Sequence, residues 1–224
     1  MLRALGDPLS FLILLVSFVV AVVVHGWVQC VVADRTGDRR PRQEQRLTPD
    51  PRRHVDPFGA IAGAIAGFGW SRPLEPAFRA GRGALLATFL SGAAANLLLA
   101  VGGLVAFRAV SGLSVPAASA TALQDGVEGL PAGQIALLLF GLMNLYVGFL
   151  SLVPLPPLDG GRLLFALAPR TSGWQKAQYH LVEQNIGLVA VLVLLLLPLG
   201  GPQALLPTVL DDLVSPLVRL VTGG

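Results

Sequence analysis

The stretch "AVVVHGWVQCVVADRTGD", residues 21 to 38, decides how the chain is read, because an apolar run carrying one histidine ends there in a burst of charge. The run reaches back to residue 11 without a charged side chain, so residues 11 to 33 exceed the roughly 20 that a helix needs to cross a bilayer. It is too long for the apolar core of a secretory signal, and no small-x-small cleavage site follows it, so a spanning helix is expected. His25 and Gln29 lie four residues apart and therefore share a face of that helix. An imidazole costs free energy in hydrocarbon, which predicts a partner for it on the protein side.

The rest of the chain has the same character. Of its 224 residues, 54% are hydrophobic and 13% charged, and the mean hydropathy is +0.69, which excludes a soluble globular domain and predicts an integral membrane protein. The sixteen basic residues, all arginine except Lys176, mostly flank apolar runs, so the net charge of +3 reports membrane topology and not nucleic-acid binding. The single cysteine, Cys30, excludes an intrachain disulfide and reads as a buried, inert thiol. Usage rich in arginine, alanine and leucine with one lysine points to a GC-rich bacterial genome, hence to a bacterial cell membrane.

Further apolar runs at 83–107 and 132–153 are long enough to span, and one at 186–199 would span only with help from its flanks. The segment "FGAIAGAIAGFGW", residues 58 to 70, is apolar but too short to cross, and it reads as a re-entrant segment. Gly59, Gly63 and Gly67 recur every four residues and would form one smooth ridge on a helix. Ten arginines fall between residues 34 and 82, and Arg162, Arg170 and Lys176 follow the third span, whereas 111–131 holds no basic residue. Both basic segments are therefore expected on the cytoplasmic side. The expected fold is an all-α integral membrane protein, a polytopic helix bundle of about four spanning helices plus the re-entrant segment. The core would occupy residues 1–200, with a basic cytoplasmic loop at 34–57 and the re-entrant segment at 58–70. Residues 201–224, with Pro207 and Pro216 interrupting them and Asp211 and Asp212 in the middle, read as a short peripheral tail.

Few strongly polar groups lie in or beside these spans: His25, Gln29, Asn96, Asn144 and Asp159. An aspartate at the centre of a spanning helix costs about 2.5–3.5 kcal/mol, so such groups should face the bundle interior. Asp159 lies in "SLVPLPPLDGGR", residues 151 to 162, where Pro154, Pro156 and Pro157 forbid a regular helix. Irregular backbone at that depth survives only when buried in protein or lining a cavity. The topology places Asp159 at the same end of the bundle as His25, so the two can meet. A fastening hydrogen bond and a chemical site are both consistent with that meeting; for Asn96 and Asn144, interhelical amide bonds suffice.

The ordered set "HGWVQCVVADRTGD", "RLTPDPRRHVDPFGAI" (residues 46 to 61), "FGWSRPLEP" (68 to 76) and "LSLVPLPPLDGGRLL" (150 to 164) resembles the site-2 protease family of intramembrane zinc metalloproteases over most of the chain. In that family a His-Glu-x-x-His motif supplies two zinc ligands and a general base, and a distant aspartate supplies the third ligand. The resemblance implies that His25 stands at the first ligand and Asp159 at the third. Gly26 stands where the base should be, Gln29 stands where the second histidine should be, and Ser151 replaces the asparagine that opens the aspartate motif.

These departures fall on the chemistry. Glycine cannot accept a proton, loss of a positioned base costs about 10²–10⁴-fold in rate, and a neutral glutamine carbonyl is a poor substitute for imidazole at zinc. Zinc is therefore expected to bind weakly or not at all, with His25 and Asp159 bonded directly or through water and Gln29 lining the same cavity. The resemblance implies a pseudoprotease that binds transmembrane segments of partner proteins, with His54, Asp56, Asn144 and Ser151 as groove candidates and the lipid bilayer as its surroundings. Two alternatives stand beside it: an active metalloprotease whose ligand set recruits His54, Asp56 or Glu75, and a proton or ion pathway through His25 and Asp159. Cys30, about 140° around the helix from His25, is off the ligand face, and His180 reads as a surface residue.

Overall fold

The computed structural model describes residues 1–75, 81–115, 120–169, 171–198 and 204–223. After a short 3-10 turn at Leu2–Gly6, α1 runs over Pro8–Arg35. Its start is set by Asp7, whose side chain accepts the N–H of Leu9, and by Pro8 at the first helical position, where a missing N–H costs nothing. The basic loop carries α2 (Arg40–Gln43) and α3 (Pro51–His54), and α4 (Pro57–Ala66) follows. Next come α5 (Arg82–Ser111), α6 (Ala120–Asp125), α7 (Ala132–Ser151) and α8 (Asp159–Leu167). Helix α9 (Ser172–Gln178) runs into a π-helical turn at Tyr179–Glu183, and α10 (Ile186–Leu196) and α11 (Leu205–Thr222) complete the chain.

Helices α1, α5 and α7 are long and apolar enough to cross a bilayer, and this is an all-helical membrane protein. The fourth apolar run gives only the eleven-residue α10, which meets the α9 segment at 64°; the two make a fourth crossing if a bent pair counts as one span. The bend falls at Asn185, held in the left-handed conformation at φ 58°. The three long helices pack on one another, most tightly where α5 crosses α7. A Cβ on Gly103 would lie 3.1 Å from the Cα of Gly141, so backbone meets backbone there without a side chain between them. Around this crossing Leu104, Phe107, Leu139, Met143 and Tyr146 are buried.

The two ends of the segment at 58–70 lie side by side. An isolated antiparallel bridge joins Val55 to Ser71, and the N–H of Arg72 donates to the carbonyl of His54 at 2.6 Å, so both ends of the segment meet. Between them, Asp56 caps α4 by accepting the N–H of Gly59 at 2.8 Å. The returning chain lies flat on α4, because a Cβ on Gly59 would come within 2.2 Å of the Trp70 carbonyl oxygen. Gly63 presses against the ring of Phe18 on α1, 2.9 Å from a notional Cβ. Gly67 does not continue the expected ridge: with φ 93° it is the left-handed cap that ends α4, a conformation that glycine adopts without a Cβ clash.

The tail also differs from its sequence reading. Pro207 sits in the first turn of α11, where no intrahelical N–H is needed, and the helix runs on through Pro216. Leu210, Val214 and Val218 are buried in the main core, and Asp211 accepts hydrogen bonds from the Tyr146 hydroxyl and, at 2.9 Å, from the N–H of Ala120. The C-terminal segment is thus a packed amphipathic helix, because one apolar face at helical spacing outweighs two prolines that the backbone can place. The expected domain boundary between residues 200 and 201 lies outside the described residues, as does Arg170.

The α5–α7 crossing yields a test. Gly103→Leu should lower the stability of the detergent-solubilised protein by about 1–3 kcal/mol through overpacking against Gly141. Gly102→Ala, at a neighbouring position with open space around it, should leave the thermal midpoint unchanged.

Candidate functional site

Four helices converge on His25. Its own helix, α1, carries it inward fully buried, and α5 makes room for it at Gly92, where a Cβ would stand only 2.5 Å from the ring Nε2. Asp159 is the first residue of α8, at the positive end of that helix, a favourable place for a carboxylate. Tight folding of the proline-rich turn brings it there. A Cβ on Gly160 would lie 2.2 Å from the Leu152 carbonyl oxygen, and one on Gly161 2.3 Å from the Leu155 carbonyl carbon, so only glycines let α8 begin against that turn.

His25 Nε2 and Asp159 Oδ2 are 2.6 Å apart, both side chains almost wholly removed from water. The other ring nitrogen, Nδ1, lies 2.8 Å from Oδ1 of Asn96 on α5. Asn96 spends its amide hydrogens on the carbonyl of Ala21 at 3.2 Å and on Oδ1 of Asn144 at 3.0 Å, and Asn144 in turn donates to the carbonyl of Phe140 at 2.9 Å. Carbonyl oxygens only accept, so the two backbone anchors orient both amides and leave the Asn96 oxygen facing His25. Nδ1 therefore carries a hydrogen, and a second proton between Nε2 and Oδ2 makes the bond to Asp159. Asn96, read from the sequence as a helix fastener, is the residue that sets the histidine tautomer. Its only signal in the sequence is a lone amide in the apolar run around "GAAANLLL".

The other expected residues are distributed differently. A cavity of about 10 Å³, room for about one water, is lined by His25, Asp159, Ser151, Trp70 and Ser71 among others. Ser151 donates to the carbonyl of Gly148 at 2.7 Å, leaving its oxygen free to accept. Gln29, expected along the same cavity, is not among its lining residues. It is fully buried, and neither end of its amide finds a partner. Four residues along a helix is about 6 Å of rise and 40° of rotation, enough to carry a side chain past so small a cavity. Asn144 lies behind Asn96 and away from the cavity, and Asp56 is committed to capping α4.

His54, at the end of α3, is buried against Gly26. Its Nε2–H donates to the carbonyl of Thr48 at 2.8 Å, which leaves Nδ1 as a bare lone pair without a partner. A Cβ on Gly26 would lie 2.8 Å from that Nδ1, so the imidazole of His54 fills the volume into which a side chain at position 26 would project. Burial holds the His54 ring below its usual titration range, consistent with the neutral tautomer. Glu75 is exposed and paired with Arg162. Cys30 is buried beside Ala33 and Leu74, and His180 is exposed, bonding Gln184 through Nδ1 at 2.6 Å.

Among curated proteins, the chain is 32% identical over 205 residues to one from Bacillus subtilis (strain 168) named "Putative zinc metalloprotease YwhC", an alignment covering 89% of this chain and 87% of the relative. The chain belongs to that metalloprotease family. No family model matches it, and no solved structure matches it. Zinc is the metal that the relative's name brings into question, and catalytic zinc is held by three protein ligands plus water. Here His25 and Asp159 are two suitable donors, and among the described residues no group of three His, Cys, Asp or Glu side chains is placed to hold one ion. Among the described residues the donor set is one protein ligand short of that requirement.

Two substitutions probe this arrangement. Asn96→Leu should destabilise the protein by about 1–3 kcal/mol by stranding the Nδ1–H of His25, and the ¹⁵N shifts of the His25 ring should report loss of the Nδ1 hydrogen bond. Gly26→Ala should push His54 off Thr48 and lower the thermal midpoint, whereas Gly26→Ala combined with His54→Ala should recover most of that loss, a non-additivity read by a double-mutant cycle.

Proposed function

We propose that this chain is a site-2-protease-like membrane protein that no longer hydrolyses peptide bonds and uses its retained groove to bind transmembrane segments of partner proteins. The observation that carries the reading is the state of position 26. The resemblance places the general base there, glycine stands instead, and the ring of His54 occupies the space a side chain would need. Two further features support it. Position 29, where the resemblance places a second histidine, holds a neutral amide without a partner. The two remaining ligand-type residues, His25 and Asp159, are bonded to one another at 2.6 Å. Zinc binding in this reading is weak or absent, and the basic loop at 34–57 lies on the cytoplasmic side, following the arginine distribution.

A second reading is favoured by one observation. The bare Nδ1 of His54 is a buried lone pair beside the position of the missing base, so His54 could stand in as base in an active enzyme with an altered site.

The two readings part in one experiment on full-length protein purified with supplementary zinc. The pseudoprotease reading expects far less than one zinc per chain by elemental analysis, unchanged in Asp159→Ala, and no cleavage of transmembrane substrates in liposomes. Zinc-dependent cleavage that disappears in both Asp159→Ala and His54→Ala would overturn it in favour of the second reading.

A further inference from the structure

The end of the bundle that holds His25 and Asp159 carries more arginine than the protein itself can neutralise. Every acidic residue between 34 and 75 is already engaged. Asp34 pairs with Arg42 at 2.7 Å, Asp38 with Arg40 at 2.5 Å, Glu44 with Arg46 at 3.7 Å and Asp50 with Arg53 at 3.7 Å. Glu75 pairs with Arg162, and Asp56 caps α4. Among the described residues, five arginines are left over. Arg35, Arg39, Arg52, Arg72 and Arg82 are exposed, and among the described residues none has a side-chain hydrogen bond or an ion pair.

Their placement indicates what meets them. Arg35 is the last residue of α1 and Arg82 the first of α5, so both stand where spanning helices leave the apolar layer. Arg82 is also at the positive end of its helix dipole, where a cation is unfavourable unless an outside anion compensates it. The loop segments that carry Arg39, Arg52 and Arg72 are tied together at this end: the Arg40 guanidinium donates to the Glu75 carbonyl at 2.8 Å, the Arg46 guanidinium to the Arg72 carbonyl at 2.8 Å, and the backbone N–H of Arg72 to the His54 carbonyl at 2.6 Å. The unpaired charge is thus gathered at the end of the bundle where α1 finishes and α5 begins. Such a cluster suits many separate phosphate groups better than one compact ligand.

We infer that this arginine cluster binds the headgroups of anionic phospholipids and that Arg35, Arg39, Arg52, Arg72 and Arg82 select them over zwitterionic lipid. The guanidinium groups bind phosphate oxygens through forked N–H donors, and the bilayer supplies the anions that the chain lacks. The selection is independent of whether the neighbouring site hydrolyses anything.

The test uses the full chain reconstituted into nanodiscs of equal parts phosphatidylcholine and phosphatidylglycerol, with the lipid that stays on the protein after detergent extraction measured by mass spectrometry. Retained phosphatidylglycerol should exceed its share of the bilayer several-fold at low salt and approach that share at high salt. Replacing the five arginines by glutamine should reduce the enrichment at least about fivefold. Arg108→Gln with Arg219→Gln, on α5 and α11 outside the cluster, should leave it unchanged. If the five-residue variant fails to fold, Arg35→Gln and Arg82→Gln singly should each lower the enrichment. Enrichment equal to the bulk share, persistence of enrichment in the arginine variants, or its loss on adding free inorganic phosphate at constant ionic strength would overturn the inference. An acidic protein partner for the cluster would appear as the first of these results.

Discussion

An imidazole and a carboxylate 2.6 Å apart, held almost wholly out of water inside an apolar bundle, impose conditions on everything around them. Removing either partner of such a pair leaves a buried group uncompensated, at a cost of about 3–5 kcal/mol, so the helices carrying them must keep their register. The register is kept by polar atoms that have no freedom of their own. Backbone carbonyls of Ala21 and Phe140 fix the amides of Asn96 and Asn144, and Asn96 then fixes His25. Four helices are tied to one histidine in this way, and the glycines that let them approach, Gly92 and Gly160 above all, follow from the same requirement.

The chemistry and the scaffold of the site respond to different parts of the sequence. The proline turn, the Asp-Gly-Gly start of α8 and the segment closed by Val55 and Ser71 surround the small cavity beside His25 and Asp159, and their approach needs backbone contact and small residues. The proline turn and the start of α8 rest on glycine contacts of their own, whereas the closure of residues 58–70 runs through His54, which packs on Gly26. The relationship to the Bacillus protein is carried along most of the chain and not by one motif. The ring of His54 fills the space left by the missing side chain at Gly26. A void beside a buried helix is costly, and an imidazole anchored to the Thr48 carbonyl fills it at the expense of one unsatisfied lone pair.

The membrane character, the three long helices and the pairing of His25 with Asp159 were legible because each rests on a one-dimensional signal: the length of an apolar run, or a polar group too costly to leave alone in lipid. The meeting of the two ends of residues 58–70 fits the same kind of signal, since an apolar run of that length is too short to cross a bilayer. Three readings failed where the outcome depended on packing. Gly67 belongs to a cap and not a ridge, α11 continues through its prolines into the core, and Gln29 misses the cavity that His25 lines.

What the sequence determined by itself was which residues had to be inside and roughly where along the helices they lie, because burial follows from composition and helical period. The tertiary structure alone decided which atoms meet. That Asn96 and not Gln29 serves His25, that His54 stands in the place of a side chain at Gly26, and that among the described residues five arginines near this site have no acidic partner all follow from distances across helices and loops. Those distances are set by glycine contacts and crossing geometry between segments far apart in the chain, and no spacing within one segment encodes them.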